Sequence, residues 1–287
     1  MAKASRLRHI SALEREEIAH EFEEHGYRIL RAFLEDGVVA GVRTEIEKLV
    51  DYHAKALLSQ GRVPNLLRGQ PFETRYALLY EKNLDIAPKL FRNELHLPGF
   101  FDLFFHPGLL DVVELILGPE VRLYPNYTVR PKVPEWEGAR VLWHQDGGYT
   151  QSEGVGEMKM VNVWTPLVRA TTENGCMQFV PGTHKLGLVP HEKREHYLEI
   201  AEGVLRGRTA KAVAIELDPG DVVIFNNLLF HQGLPNHSKG VRWSLDWRYQ
   251  DAGQPTLRAF DGHIARSKRD PSAAVRSAKE WSGLVFG

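Results

Sequence analysis

The sequence predicts a mainly β fold with flanking α-helices, its core a double-sheet jelly roll, and three observations predict it. After Gly118 the chain divides into short β-prone runs at 121–124, 126–130, 158–164, 177–180, 212–217, 221–229 and 241–250. Turn chemistry such as Pro181-Gly182-Thr183 and Asp218-Pro219-Gly220-Asp221 separates these runs, as in jelly rolls. Before Gly118 the apolar residues repeat instead at helical spacing.

The N-terminal elements follow from caps and stripes. Ser11 with Glu14 three residues on forms a capping box, Leu13, Ile18 and Phe22 fall roughly on one face, and Gly26 ends the helix. Residues 27–30 read as a short strand. A helix over about 35–58 carries Val38, Val42, Ile46, Leu49 and Val50 along one stripe and is expected to be scaffold. Gly61, Pro64, Gly69, Pro71 and Pro88 break the periodicity of 60–100 into loops with short helices, a pattern common in binding loops and lids. A helix over 104–117 stops at Gly118-Pro119.

With 287 residues, 43% of them hydrophobic and 25% charged, the chain can bury a substantial core. It contains no repeat, low-complexity tract or linker. A single domain over 1–287 is therefore expected, with helices at about 11–117, a barrel at about 118–250 and a tail at 251–287, whose basic run 266–269 reads as solvated. A formal charge of -1 gives no reason to expect nucleic acid or anionic membrane as a partner. Cys176 is the only cysteine, which excludes an intramolecular disulfide and suits a reducing cytoplasm, and its neighbours make it a small core residue. No apolar run approaches a membrane span and no secretory h-region follows the basic N-terminus, so a cytoplasmic protein is expected.

The chemistry centres on Trp143-His144-Gln145-Asp146, followed by Gly147 and Gly148. In an extended segment, alternation places His144 and Asp146 on one face, and the glycines let the chain turn away. An imidazole and a carboxylate converging on one point are two-thirds of the 2-His-1-carboxylate triad that holds non-haem Fe(II). His231, at the end of an apolar run, is placed to supply the third ligand from a later strand. His184, in a Pro-Gly-Thr-His turn, competes for that role, whereas His191, His196 and His237 read as solvent-facing. Beyond His231, the strand opened by Arg242 puts Arg242, Ser244, Asp246 and Arg248 on one face and Trp243, Leu245, Trp247 and Tyr249 on the other. Polar groups facing a barrel interior are costly unless paired or holding a polar ligand, and arginine offers a fork for a carboxylate.

His144-x-Asp146, His231 and Arg242, with 162–167, 172–177 and 180–184 between them, resemble the Fe(II)/2-oxoglutarate dioxygenases of the phytanoyl-CoA dioxygenase family. The resemblance runs from the N-terminal helix to about Gln250. It implies a cupin-like double-stranded β-helix with His144, Asp146 and His231 on Fe(II), and 2-oxoglutarate chelating the iron with its far carboxylate on Arg242. It further implies that Trp164 flanks the co-substrate, that Asn126 adds a polar contact, and that O2 is the second co-substrate. The expected reaction is hydroxylation of a small molecule with release of succinate and CO2, and the carboxylate at 146 favours it over halogenation. Desaturation or epimerisation on the same iron is the nearest alternative. A zinc hydrolase and a non-catalytic cupin-like binding protein are the rivals from other classes. Many members carry Ser or Thr two residues after the distal histidine, where this chain has Gly233, and Ser244 is the expected substitute. Arg75, Tyr76, Arg130, Asp246 and Arg248 are candidates for receiving a polar or anionic substrate.

Overall fold

A computed structural model describes residues 10–150, 158–194 and 198–284. Helices α1 (Ala12–His25), α2 (Asp36–Ser59), α3 (Phe72–Tyr80), α4 (Pro98–Phe104) and α5 (Pro107–Leu117) surround strand β1 (Tyr27–Leu30) in sequence and precede the remaining strands. The Ser11 hydroxyl accepts from the Glu14 amide at 3.2 Å, and Gly26 closes α1 at φ 82°, a left-handed value that favours glycine. The run 104–117 is interrupted: α4 ends at Phe104, and His106 caps α5 by accepting from the Leu109 amide at 3.2 Å.

The strands are β2 (Glu120–Leu123), β3 (Thr128–Lys132), β4 (Val141–His144), β5 (Met160–Pro166), β6 (Met177–Val180), β7 (His191–Lys193), β8 (Leu198–Ile200), β9 (Val213–Ile215), β10 (Val222–Asn226), β11 (Phe230–Gly233), β12 (Arg242–Asp251) and β13 (His263–Ser267). One antiparallel sheet runs β1-β10-β5-β12-β2-β13, with β3 also paired to β12. A second runs β4-β11-β6-β9. The strand expected over 221–229 ends at Asn226, and a turn over 227–229 leads to β11 in the other sheet. The Asn226 side chain accepts from the Leu228 amide at 2.8 Å and its carbonyl from the Leu229 amide at 3.0 Å, turning the chain between β10 and β11.

Two apolar layers hold the sheets. Trp243, Leu245, Trp247 and Tyr249, on the outward face of β12, join the helices in one buried cluster with Val42, Ile46, Phe100 and Phe104. Cys176, Phe179, Val223, Phe225 and Leu229 belong to a second cluster, and Cys176 is buried as expected.

The C-terminal segment is not a solvated tail. Strand β13 pairs with β2, and Arg266 bridges to Asp111 at 2.7 Å and Glu114 at 2.9 Å. A last helix, Ala278–Ser282, inserts Trp281, fully buried against His96, Phe104, Phe105 and Tyr127, with its indole N–H donating to the Leu95 carbonyl at 3.0 Å. Trp281→Ala is expected to lower the unfolding free energy by about 3–5 kcal/mol, read as a fall in urea midpoint. An unchanged midpoint would show that this helix contributes nothing to the core.

Candidate metal centre and its two clefts

The site lies between the two sheets. His144 ends β4 and His231 sits directly opposite it on β11, with ring centroids 4.0 Å apart. Alternation carries Asp146 to the same side, and after it Gly147 turns into a short helical segment, its amide donating to the Asn227 carbonyl at 2.8 Å. Gln145, on the opposite face, is fully buried and clamps the segment: its amide donates to the carbonyls of Gly187 at 2.8 Å and Leu228 at 2.7 Å, and its oxygen accepts from the Val189 amide at 2.9 Å.

One ligating atom from each of His144, Asp146 and His231 lies within 4.8 Å of the others. His144 Nε2 is 3.7 Å from Asp146 Oδ1, and His231 Nε2 is 3.8 Å from Oδ2. Both imidazoles donate Nδ1–H to the carbonyl two residues earlier, Leu142 at 2.7 Å and Leu229 at 2.9 Å. That contact fixes the tautomer and leaves each Nε2 with its lone pair aimed at the cluster. Burial, then the neighbouring His144, pushes the His231 pKa down to about 3, so it is neutral and ready to ligate. Burial would raise the Asp146 carboxyl, but the Arg248 guanidinium and the two imidazoles outweigh it and hold the group ionised, well below the usual range. Arg248 donates to Oδ1 at 2.6 Å. Two imidazole Nε2 atoms and an ionised carboxylate fit divalent iron of the facial-triad kind.

Arg242 lies on β12 in an adjoining cleft that also includes Trp164, Phe225 and His231. Its guanidinium sits 5.4 Å from the Trp164 ring and donates to the Ser244 hydroxyl. It is 3% exposed, its Nε has no partner, and no carboxylate pairs with it among the described residues. Burial lowers its pKa to about 10, so it remains a cation at neutral pH. The oxygen of Ser244 is thus engaged by Arg242 itself. Lys132, which the sequence did not single out, is the residue packed against Gly233: it pairs in register with Arg242 and donates to the carbonyls of Gly233, at 3.1 Å, and Leu234.

A second cavity of about 540 Å³, sharing Arg130, Val141, His144, Asp146 and Arg248 with the first, holds Asn126, whose Oδ1 is buried without a partner, together with Lys89, Arg92 and Arg258. Asn126 therefore lines this cavity rather than the Arg242 cleft. Among the described residues Asp146 is the only carboxylate lining it. Asp246 lies beneath, accepting from Thr128 at 2.8 Å and from Arg130.

Arg75 and Tyr76 are elsewhere. Arg75 pairs with Asp51, and the Tyr76 hydroxyl donates to the Pro88 carbonyl at 2.7 Å. His184 is outside the cluster, its Nε2–H donating to the Glu23 carbonyl at 2.9 Å. His191 is half-buried beside Gln145 rather than solvent-facing, and its Nδ1–H donates to the Val189 carbonyl at 2.7 Å. His237 is exposed and paired with Glu135, and His196 lies outside the described residues.

Residues 22–244 match the phytanoyl-CoA dioxygenase family. The 1-deoxypentalenic acid 11-beta-hydroxylase of Streptomyces arenae is 29% identical over 280 residues, covering 92% of this chain and 91% of that protein. The peroxisomal phytanoyl-CoA dioxygenase of Homo sapiens is 25% identical over 237 residues, covering 80% and 67% respectively. In fold, the chain is similar to EctD from S. alaskensis, solved with 2-oxoglutarate and 5-hydroxyectoine, at a TM-score of 0.62 and 19% identity, covering 93% of this chain and 88% of that one. With a matched region spanning most of the sequence and all three triad residues, the chain belongs to the phytanoyl-CoA dioxygenase family of iron(II)- and 2-oxoglutarate-dependent oxygenases.

Proposed function

We propose that the enzyme hydroxylates a small molecule bearing a carboxylate or comparable anionic group, holding iron on His144 Nε2, His231 Nε2 and Asp146 and 2-oxoglutarate beside Arg242. The observation that carries the reading is the pairing of a three-donor cluster with a buried, carboxylate-free arginine in the adjoining cleft. Neither a zinc hydrolase nor a passive metal-binding barrel has a use for such an arginine, because an unpaired buried cation costs free energy until an anion arrives.

When bound, iron with 2-oxoglutarate and O2 supplies the oxidising chemistry, the co-substrate leaving as succinate and CO2. The protein's part is positioning. The Leu142 and Leu229 carbonyls keep both imidazoles oriented, and Arg248 holds the Asp146 carboxylate by one oxygen. Trp164 covers the guanidinium that receives the far carboxylate and keeps water from it.

The substrate class rests on the larger cavity. Arg130 and Arg248 already share Asp246, but Lys89, Arg92 and Arg258 have no ion-pair partner among the described residues. Such a surplus of cations beside the triad suits an anion, and the S. arenae relative is named for an acid. The test measures succinate from 2-oxoglutarate with Fe(II) or Zn(II), then adds small carboxylic acids and their amides. Turnover with Fe(II) alone, stimulated by acids over amides, is expected. Equal activity with zinc would overturn the iron reading, and preference for the amides would overturn the substrate class.

A further inference from the structure

We propose that Lys132 is a second cationic anchor for the far carboxylate of 2-oxoglutarate, its ammonium standing where a hydroxyl on residue 233 would reach. The inference rests on the co-substrate lying beside Arg242, as argued above, and concerns a residue on a different strand. Directly paired residues of antiparallel strands project to the same face, so Lys132 on β3 and Arg242 on β12 stand side by side on the inward face.

Lys132 is 4% exposed. Its ammonium contacts the main-chain carbonyls of Gly233 and Leu234, and no carboxylate pairs with it among the described residues. Protonating the Lys132 amine beside the buried Arg242 cation is expensive, and it becomes favourable when an anion joins the two. Burial first, and then the charge of Arg242, push the Lys132 pKa down to about 6, so near neutral pH the amine is largely uncharged until an anion holds the proton on it.

Gly233 supplies the independent observation. Alternation along β11 puts it on the same inward face as His231. Its φ is not in the left-handed region, so the backbone does not demand glycine there. A Cβ built on it would lie 3.2 Å from the Lys132 Nζ and 3.4 Å from the Val141 Cβ. A serine or threonine at 233 and the ammonium of Lys132 therefore compete for one space, and the glycine leaves it to the lysine. An ammonium in place of a hydroxyl keeps a donor for the carboxylate and adds a charge.

A structural alternative is that Lys132 merely ties β3 to the end of β11. Calorimetry on Mn(II)-loaded protein without oxygen separates the two, titrating 2-oxoglutarate against 2-oxobutyrate, which has the keto acid end and no far carboxylate. For Lys132→Met the Kd for 2-oxoglutarate should rise about ten-fold or more, the size of one charge-assisted hydrogen bond, while that for 2-oxobutyrate stays put. Adding Gly233→Ser to Lys132→Met should recover part of the affinity by restoring a hydroxyl. Should Lys132→Met not fold, Gly233→Ala crowds the ammonium with the lysine in place and should weaken 2-oxoglutarate alone. Unchanged 2-oxoglutarate affinity, or equal losses for both keto acids, in whichever variant folds would overturn the role of Lys132. Failure of the wild-type protein to bind either keto acid would instead overturn the co-substrate reading on which it rests.

Discussion

His231→Ala is expected to abolish iron binding and 2-oxoglutarate turnover together, and Asp146→Ala and His144→Ala should do the same. Each supplies one of three donors converging within 4.8 Å, so its removal leaves two protein ligands and a hole in the cluster. Loss of a group that only orients a metal ligand typically costs about 10–100-fold in affinity or activity, and removal of the ligand itself must exceed that. Arg248 provides the internal calibration. It touches Asp146 Oδ1 at 2.6 Å and touches neither imidazole, so Arg248→Ala should fall in the 10–100-fold range, milder than any triad variant. His184→Ala should leave iron stoichiometry intact, because that imidazole is committed to the Glu23 carbonyl far from the cluster. Iron content by elemental analysis, succinate formation and a thermal melt for folding decide the matter. Stoichiometric iron and wild-type turnover in a folded His231→Ala protein would remove the triad.

What could be read ahead of the structure was whatever depends on local alternation and capping. The two-residue period of a strand put His144 with Asp146, and Arg242 with Ser244, Asp246 and Arg248, without knowledge of neighbouring strands. The cap at Ser11 and the stop at Gly26 follow from backbone groups that local side chains and glycine satisfy. What escaped depends on pairing between distant segments. Lys132 matters because β3 lies beside β12 in one register, and no local pattern encodes a register. The turn between β10 and β11 falls at Asn226-Asn227, a turn signal within the expected strand 221–229 that the apolar residues on either side, Phe225 and the buried Leu228 and Leu229, outweighed. The C-terminus read as a basic tail because 266–269 is charged, yet Arg266 meets Asp111 and Glu114, and Trp281 fills the core behind it. Arg75 was a plausible substrate contact by charge alone, and the packing of α3 turns it to Asp51 instead.

Arg242→Ala should raise the KM for 2-oxoglutarate by about one to two orders of magnitude or more. A carboxylate on a guanidinium is a charge-assisted contact worth roughly 1.5–3 kcal/mol per hydrogen bond, and every 1.4 kcal/mol is about ten-fold in affinity. The environment favours the upper part of that range. Arg242 is 3% exposed, its Nε lacks any partner, and the Trp164 ring lies 5.4 Å from the guanidinium, so little water competes with an arriving anion. Arg242→Lys keeps a cation but gives up the fork and the flat face toward Trp164, and brings a second ammonium beside Lys132. It should fall between wild type and alanine, closer to alanine than charge alone would put it. Iron affinity measured without co-substrate should hardly move, since the guanidinium contacts no ligating atom. If Arg242→Ala binds 2-oxoglutarate as the wild type does, the arginine serves only to brace Ser244 and Trp164, and the co-substrate's far carboxylate must lie elsewhere, with the second, cationic cavity as the next place to look.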